Sequence, residues 1–425
     1  MPTKSISILG SYSMRNRGDE GLLLGSVKLF EQIFKNSNDS TNFNLFFAQP
    51  ESERQFVESW DVKSKISLYQ HLLETEAQPS LVRKILSLMT FLFLFLWSFI
   101  FLILHKDFLL YLLPRKMRNK IHALLRSDYV VYRSIDQFSD VFGITMFLKV
   151  LMQLIICINL RTDKVILHGQ SSYFNEKHKR FGVFFLKIIS KKCVLALRDK
   201  FSEKFYIKNN IKKFGLIPPP VIFITNQFER IANDSKYKIL ILPRAPLNKN
   251  NTYVDEFAQY LIQLKIFFRD KIDVTFMGQS KVNEFLDNDY DIIGSIKARV
   301  IKDRPFDISI VETEKKSLDE LVKYISSFDL VVTERAISIV IALAQSVPTI
   351  SIDPYHGKNR GLADLFGFEK YCIDTGELTA KFLLNATINL HENDKLLRGE
   401  LIEINRIQKD VLINETKRML NYAKE

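Results

Sequence analysis

Three segments of this chain combine cationic, acidic and glycine residues at spacings that suit the binding of a small anion. The first is GSYSMRNRGDEGLL, residues 10–23. Gly10 permits a sharp exit from a preceding strand, and Gly18 allows close backbone approach. The free N–H groups of a helix starting near Asp19 form an anion site beside Asn16, reinforced by Arg15 and Arg17. Asp19 and Glu20 either line that site or serve the helix dipole as first-turn acids. The second is LRDKFSEKF, residues 197–205. Arg198, at a strand end, can present its guanidinium fork to a carboxylate or phosphate, while Asp199 or Ser202 caps the next helix. The third and densest runs from Asp329 to Gly367. Glu334 and Arg335 stand in its first turn, and His356, Lys358 and Arg360 in its second. Two adjacent cationic loops suit a polyanionic ligand. A single His in a polar loop, such as His356, is either solvated or catalytic. No residues are spaced as metal ligands.

Strand-like apolar runs alternating with amphipathic helical patterns position these loops, the pattern of parallel α/β architecture. SISILG (5–10), NFNLFFA (42–48), DYVVY (128–132), KVILHG (164–169) and KCVLAL (192–197) make a first series of strands, with a helix over 19–34. A second series follows: KILILP (238–243), DVTFMG (273–278), ISIVE (308–312), DLVVT (329–333) and PTISID (348–353). Helices are expected over 254–268, 317–327 and 337–345. Between the two series, Pro218, Pro219 and Pro220 forbid helix and mark a boundary. The sequence therefore predicts an α/β protein of two doubly wound, Rossmann-like domains. Residues 1–225 form the first and 236–425 the second, with a ligand cleft at the carboxyl ends of the strands.

Composition narrows the function classes. At 425 residues, 47% hydrophobic and 25% charged, the chain is too apolar for disorder and too poor in glycine for a fibrous protein. Its three cysteines, Cys157, Cys193 and Cys372, form no CxxC pair and read as buried thiols in a reducing compartment. The N-terminal MPTKSISILGSY lacks a signal-peptide pattern, so a cytoplasmic placement is expected. The net charge of +12 is localised: residues 105–215 hold 22 Lys and Arg against 8 Asp and Glu, leaving −2 for the rest. That basic region has no motif for reading nucleic acid. It abuts an apolar insertion over 80–120, in which residues 85–104 carry no charge and are long enough for one bilayer crossing. A single crossing would separate the first strand from its partners, and two crossings need more apolar residues than residues 85–113 supply. A monotopic helix held against anionic lipid by RKMRNK (115–120) is the expectation, with a buried helix or an oligomer interface as the alternative.

The order of these segments resembles the polysaccharide pyruvyl transferase family. The resemblance is carried by Gly10 with Asn16 and the Gly18-Asp19-Glu20 run, by the His168-Gly169-Gln170-Ser171 loop, by Arg198-Asp199 with Ser202, and by a final stretch from Arg335 to Lys358, Gly361 and Leu362. It implies two Rossmann-like domains in a GT-B-like arrangement. It also implies transfer of a pyruvyl group from phosphoenolpyruvate, the donor substrate, to sugar hydroxyls, with no resident cofactor. On that resemblance Arg198 and Arg335 hold the carboxylate and phosphate of the donor. The Asn16–Glu20 and 168–171 loops line the cleft, Asp136 stands near it, and Lys358 assists on the opposing wall.

This sequence departs from the family pattern at three places. The histidine usual two residues after the arginine is Ile337, the glycine-rich turn reads Ser134-Ile135-Asp136, and the acidic residue closing the first domain is replaced by the proline run. General acid work is then expected of His356, His168 or Asp136. A nucleotide-sugar GT-B glycosyltransferase and a non-catalytic scaffold at the membrane are the competing readings. The expected partners are a sugar or lipid-linked oligosaccharide acceptor, an anionic membrane surface, and a polysaccharide-synthesis complex or a second copy of the chain.

Overall fold

In the computed structural model of the chain, the described residues are 3–10, 14, 16–35, 40–72, 81–104, 107–133, 138–140, 143–161, 165–224, 236–244, 251–279, 281–282, 287–303, 308–313, 316–354 and 357–425. The first half runs β1 (Thr3–Leu9), α1 (Arg17–Lys35), β2 (Ser40–Phe47), α2 (Pro50–Glu58), β3 (Lys65–Gln70), α3 (Leu81–Leu104) and α4 (Arg115–Leu125). It continues with β4 (Tyr129–Tyr132), α5 (Ile144–Leu160), β5 (Val165–Gln170), α6 (Glu176–Lys192), β6 (Cys193–Leu197), α7 (Lys200–Lys208) and β7 (Gly215–Leu216). These seven strands form one parallel sheet in the order β3-β2-β1-β4-β5-β6-β7.

The second half runs β8 (Tyr237–Leu242), α8 (Asn251–Phe268), β9 (Ile272–Met277), a two-stranded ribbon of β10 (Lys281–Val282) and β11 (Asp287–Asn288), and α9 (Asp289–Asp303). There follow β12 (Ile308–Val311), α10 (Leu318–Ser326), β13 (Leu330–Thr333), α11 (Ala336–Ala344), β14 (Thr349–Asp353), α12 (Lys358–Asp364), β15 (Cys372–Asp374), α13 (Ala380–Glu392) and α14 (Asp394–Lys424). Its main sheet is parallel too, ordered β12-β9-β8-β13-β14-β15. Both sheets have the doubly wound order, whose direction of winding reverses between β1 and β4 and again between β8 and β13. In sheets of this order ligands bind outside the carboxyl ends of those strand pairs.

The buried strands are apolar on both faces, as helix-covered parallel strands must be. Each face of the first sheet serves a different cluster. Ile6, Ile8, Val131 and Ile166 face α1 and the main core, whereas Leu9, Val130, Tyr132 and Leu167 face α3, α4, α5 and α6. The proline run does not hang free. It leads into a 3-10 turn, Pro220–Phe223, that packs on α1 so closely that a Cβ on Gly25 would lie 2.2 Å from the Pro220 carbonyl oxygen. α14 spans both halves. Its Asn405 donates to the Leu343 carbonyl, while Thr416 reaches His168 on β5 and Tyr422 packs against Phe214.

Among the described residues no helix is long and apolar enough to cross a membrane. β3 and β4, which precede and follow α3, lie with β1 and β2 in one sheet, so a single crossing at residues 85–104 would split that sheet.

Candidate functional site

At the carboxyl end of β1 the chain leaves through Gly10 at φ +91°, and Asn16 organises the start of α1. Its backbone carbonyl accepts from the Asp19 and Glu20 amides at 2.9 and 3.2 Å, and its side chain accepts from the Gly18 amide at 3.1 Å. The neighbouring strand β4 ends in Arg133, which is fully buried. Its Nε donates to the Gly10 carbonyl (3.1 Å), Nη1 to the Asp19 carbonyl (3.2 Å) and Nη2 to the Asp19 carboxylate (3.0 Å). Arg133 therefore locks the β1 loop to the helix it opens. Gln170, at the end of β5, donates through Nε2 to the Tyr132 and Arg133 carbonyls at 3.1 and 2.9 Å.

The β6 loop comes next. Arg198 is 2% exposed and donates through Nε to Ser171 Oγ at 2.8 Å. Ser171 in turn donates to Asp199 Oδ2 at 2.5 Å, and Asp199 caps α7 by accepting from the Ser202 amide at 2.6 Å. Burial pushes the Asp199 carboxyl above its ordinary range, a shift opposed by hydrogen bonds from Ser171 and Ser202 and by the charge of Arg198. Asp199 is thus a cap and an orienting partner for the Arg198 fork.

On the opposite wall, β13 ends in Thr333, and Glu334 and Arg335 follow. The Arg335 amide donates to Thr333 Oγ1 (2.9 Å), and its guanidinium grips the fully buried Asp289 through both Nε (3.1 Å) and Nη2. Asp289 opens α9 and also accepts from the Gln279 amide at 2.9 Å. Asn359 on α12 donates to the Glu334 and Ile352 carbonyls at 2.9 and 2.7 Å, tying the β13 loop to the β14 loop. The buried Tyr253 hydroxyl has its proton affinity raised well above normal by desolvation and then by the charge of Glu334.

Two close approaches bring the walls together. A Cβ on Gly18 would lie 3.2 Å from Ile337 Cβ, so the amino end of α1 abuts that of α11. A Cβ on Gly361 would lie 3.0 Å from the Phe201 amide and 3.3 Å from Asp199 Cβ, so α12 abuts the start of α7. An ion pair between Lys200 and Asp364, 2.9 Å, closes the same contact. The loops after β1, β4, β5 and β6 therefore meet those after β13 and β14, with Arg133, Arg198 and Arg335 in the junction.

Other residues chosen from the sequence lie elsewhere. His168 is inside β5, not in a loop. It is fully buried, hydrogen-bonded to Thr416 on α14 at 2.9 Å, and packed 5.9 Å from the Phe30 ring. Burial lowers its pKa to about 3, so it carries no proton to give at neutral pH. Arg17 does not reinforce an anion site at α1. Its Nη1 pairs with Glu20 at 2.6 Å, and its Nη2 reaches across to the Thr313 and Lys316 carbonyls at 3.4 and 2.6 Å. Glu20 also accepts from Trp60 Nε1 at 3.3 Å, and burial raises its pKa against the pull of Arg17. Arg360 points to the Glu369 carbonyl (3.3 Å) and Asp374 (3.5 Å), towards the far edge of the second sheet. Lys358 opens α12 beside Asn359 and is half-buried. Arg15, Asp136 and His356 lie outside the described residues. Among the described residues no cluster of His, Cys, Asp and Glu could hold a metal ion.

Comparison with known proteins fits this geometry. A model of the polysaccharide pyruvyl transferase family matches residues 16–356. The chain belongs to that family. The matched span holds Asn16, Arg133, Arg198, Asp289 and Arg335, the residues that build the junction. No curated protein matches by sequence. By structure the chain resembles enzymes of the GT-B fold. A UDP-GlcNAc 2-epimerase from Neisseria meningitidis, solved bound to UDP-GlcNAc, shares 10% identity over 99% of each chain with a TM-score of 0.55. A UDP-GlcNAc 2-epimerase from Methanocaldococcus jannaschii shares 13% over 91% of each chain (TM-score 0.51). A UDP-glucosyltransferase from Polygonum tinctorium shares 12%, covering 100% of this chain and 99% of its own (TM-score 0.51). The two parallel sheets and the α14 crossover are thus a GT-B arrangement. Within this family member the position where the resemblance expects histidine is the buried Ile337, packed on Gly18.

Reading the sequence alone passed over Arg133, Asp289, Asn359 and Tyr253. Arg133 and Asn359 had a signal: one directly follows the strand YVVY, the other stands between Lys358 and Gly361. Asp289 sits in the run DNDYD, where nothing distinguishes one carboxylate from the next.

Proposed function

We propose that the protein transfers a pyruvyl group from phosphoenolpyruvate to a sugar of a surface polysaccharide or of its lipid-linked precursor, forming a cyclic ketal. The observation that carries this reading is the placement of Arg198 and Arg335 at the carboxyl ends of β6 and β13, beside the contacts of Gly361 with Phe201 and of Gly18 with Ile337, within a chain of this family. Phosphoenolpyruvate is small and carries its charge on a carboxylate and a phosphate, the two groups that guanidinium forks grip best. In the reaction a proton adds to the donor methylene and a sugar hydroxyl oxygen bonds to C2. A second hydroxyl then displaces phosphate from that carbon. One hydroxyl proton balances the new methyl group and the other leaves with phosphate.

On this reading Arg198 and Arg335 bind the donor, with Ser171 and Asp289 holding their planes. Arg133, Gly10, Asn16, Gly18 and Asp19 shape the first wall, with Gln170 and Glu20 supporting it, and Glu334 belongs to the second wall beside Arg335. Lys358 stands on the second wall with Arg360 further out. With His168 buried and position 337 apolar, the methylene proton is assigned to His356, or to Asp136. Proton transfer by a placed side chain accounts for about 10²–10⁴-fold in rate, so one of the two is required.

The test is phosphate release from phosphoenolpyruvate with a lipid-linked acceptor, and ketal formation scored by mass. Arg335→Ala and Arg198→Ala should each lower kcat/KM at least ~100-fold, the scale of one lost charge-stabilising donor. Wild-type turnover in Arg335→Ala refutes the assignment. Calorimetry with phosphoenolpyruvate against UDP-sugars separates this activity from glycosyl transfer.

A further inference from the structure

We propose that the face of the first domain built by α3, the following turn and α6 docks on the surface of an anionic lipid bilayer, with α3 lying in the plane of the interface. The inference is independent of the pyruvyl reading.

Among its described side chains, α3 is held to the domain by one stripe. Leu94, Trp97, Ser98 and Phe101, spaced three and four apart, are buried, and Asn159 of α5 donates to Ser98 Oγ at 3.1 Å. The face opposite is exposed: eleven large apolar side chains between Ile85 and Leu104 are 45–62% exposed. Single exposed apolar residues are ordinary on a protein surface, but a continuous helix face is the mark of a binding surface. Further exposed apolar residues stand on neighbouring elements over the same face of the sheet. After α3, Phe108, Tyr111 and Leu112 are exposed, Tyr111 by 76%. Beyond α5, whose Phe147 ring packs edge-on against Phe181 of α6 at 6.3 Å, Phe181, Phe184 and Ile188 are exposed on the same side of the sheet.

Charge decides what covers this face. The outward stripe of α6 interleaves the exposed Lys177, Arg180, Lys187 and Lys191 with those apolar residues, and no acidic residue occurs between Lys177 and Lys192. On α4, Arg115 and Lys116 are exposed and the Arg118 guanidinium lies 5.1 Å above the Tyr111 ring. From residue 81 to residue 127 the one acidic residue is Asp107. A self-association through this patch would set its cationic rim against an identical rim, because a two-fold interface presents the same surface twice. Lipid headgroups bearing phosphate supply the missing negative charge, and acyl chains accept the apolar face of α3. Tyrosine beside a cation is suited to headgroup depth.

The full-length protein is mixed with phosphatidylcholine vesicles, with and without phosphatidylglycerol, and separated by flotation. It should float with the anionic vesicles, less with neutral ones, and be released by raised salt. Lys187→Glu with Lys191→Glu, both on the solvent-exposed side of α6, should weaken anionic partitioning at least ~25-fold, about five-fold for each lost charge. Leu96→Glu with Phe99→Glu should abolish it. Equal flotation on both vesicle types, no flotation, or unchanged flotation of the lysine variant overturns the proposal. So does a soluble dimer that Leu96→Glu with Phe99→Glu dissociates.

Discussion

His168 allows the sharpest test of the packing between β5 and α14. The unfolded ring takes its proton at the ordinary histidine value of about 6.5, whereas burial holds the folded ring down to about 3. Above 6.5 the ring is neutral in both states and stability does not depend on it. As pH falls below 6.5 the unfolded chain gains a proton that the folded one refuses, so stability is lost until the folded ring itself protonates near 3. The slope is about 1.4 kcal/mol per pH unit, so folding loses about 2 kcal/mol between pH 6.5 and pH 5. Total stabilities are about 5–15 kcal/mol, so the loss is large enough to measure.

His168→Gln keeps a polar group able to reach Thr416 Oγ1 and removes the titration. Both tryptophans, Trp60 and Trp97, lie in the first domain, and their fluorescence in urea follows its unfolding. Subtracting the variant from the wild type at each pH cancels every group the two share. The wild type should lose about 2 kcal/mol relative to the variant between pH 7 and pH 5. A difference flat to within about 0.5 kcal/mol, or an NMR titration placing His168 near 6.5, refutes the burial argument. The variant should also keep its turnover at neutral pH, because a ring with so little proton affinity is no acid for the reaction.

Two other predictions rest on buried charge and buried sulfur. Asp289→Ala leaves the Arg335 guanidinium uncompensated and the Gln279 amide without its acceptor, and should cost about 3–5 kcal/mol in urea unfolding by circular dichroism. Adding Arg335→Met should restore most of that stability but no donor binding; full stability in Asp289→Ala alone would refute the pairing. Burial pushes the thiols of Cys157 and Cys372 up to about 12 and that of Cys193 higher still. A thiol reagent at pH 8 should therefore label none of them in the folded protein and three in urea, whereas rapid labelling without denaturant would contradict the packing.

The parallel α/β architecture was legible because its central strands are uninterrupted apolar runs. What escaped was marginal in composition. β3, KISLYQ, is an edge strand half-exposed along its length and carries no clean alternation. β15 is three residues long. At the site, Arg198 and Arg335 stood out because each follows a strong strand. The error at His168 has a physical cause. The sequence places His168 both at the end of the strand KVILHG and in an HGQS loop; the strand reading holds, since β5 extends to Gln170, and Gly169 at φ +68° sits where its register with β6 shifts. Strand alternation then places His168 on the α1 face with Ile166. Asp289 could not be found because its partner Arg335 is 46 residues away and only the fold joins them.

The contact between Gly18 and Ile337 constrains how this family member can work. The first turns of α1 and α11 touch there, and free N–H groups at helix amino ends favour an anion. Ile337 fills the point of closest approach with an apolar side chain, and at 3.2 Å from where a Cβ on Gly18 would lie there is no room for a donor between them. On the pyruvyl reading a bound donor then sits to one side of this contact, beside Arg198 and Arg335. There Gly357 turns at φ +109° into α12 beside Phe201. On the pyruvyl reading, the proton therefore does not come from α11, which leaves it to His356 or to Asp136. Returning histidine at 337 would accordingly place a ring against Gly18 without restoring the lost route.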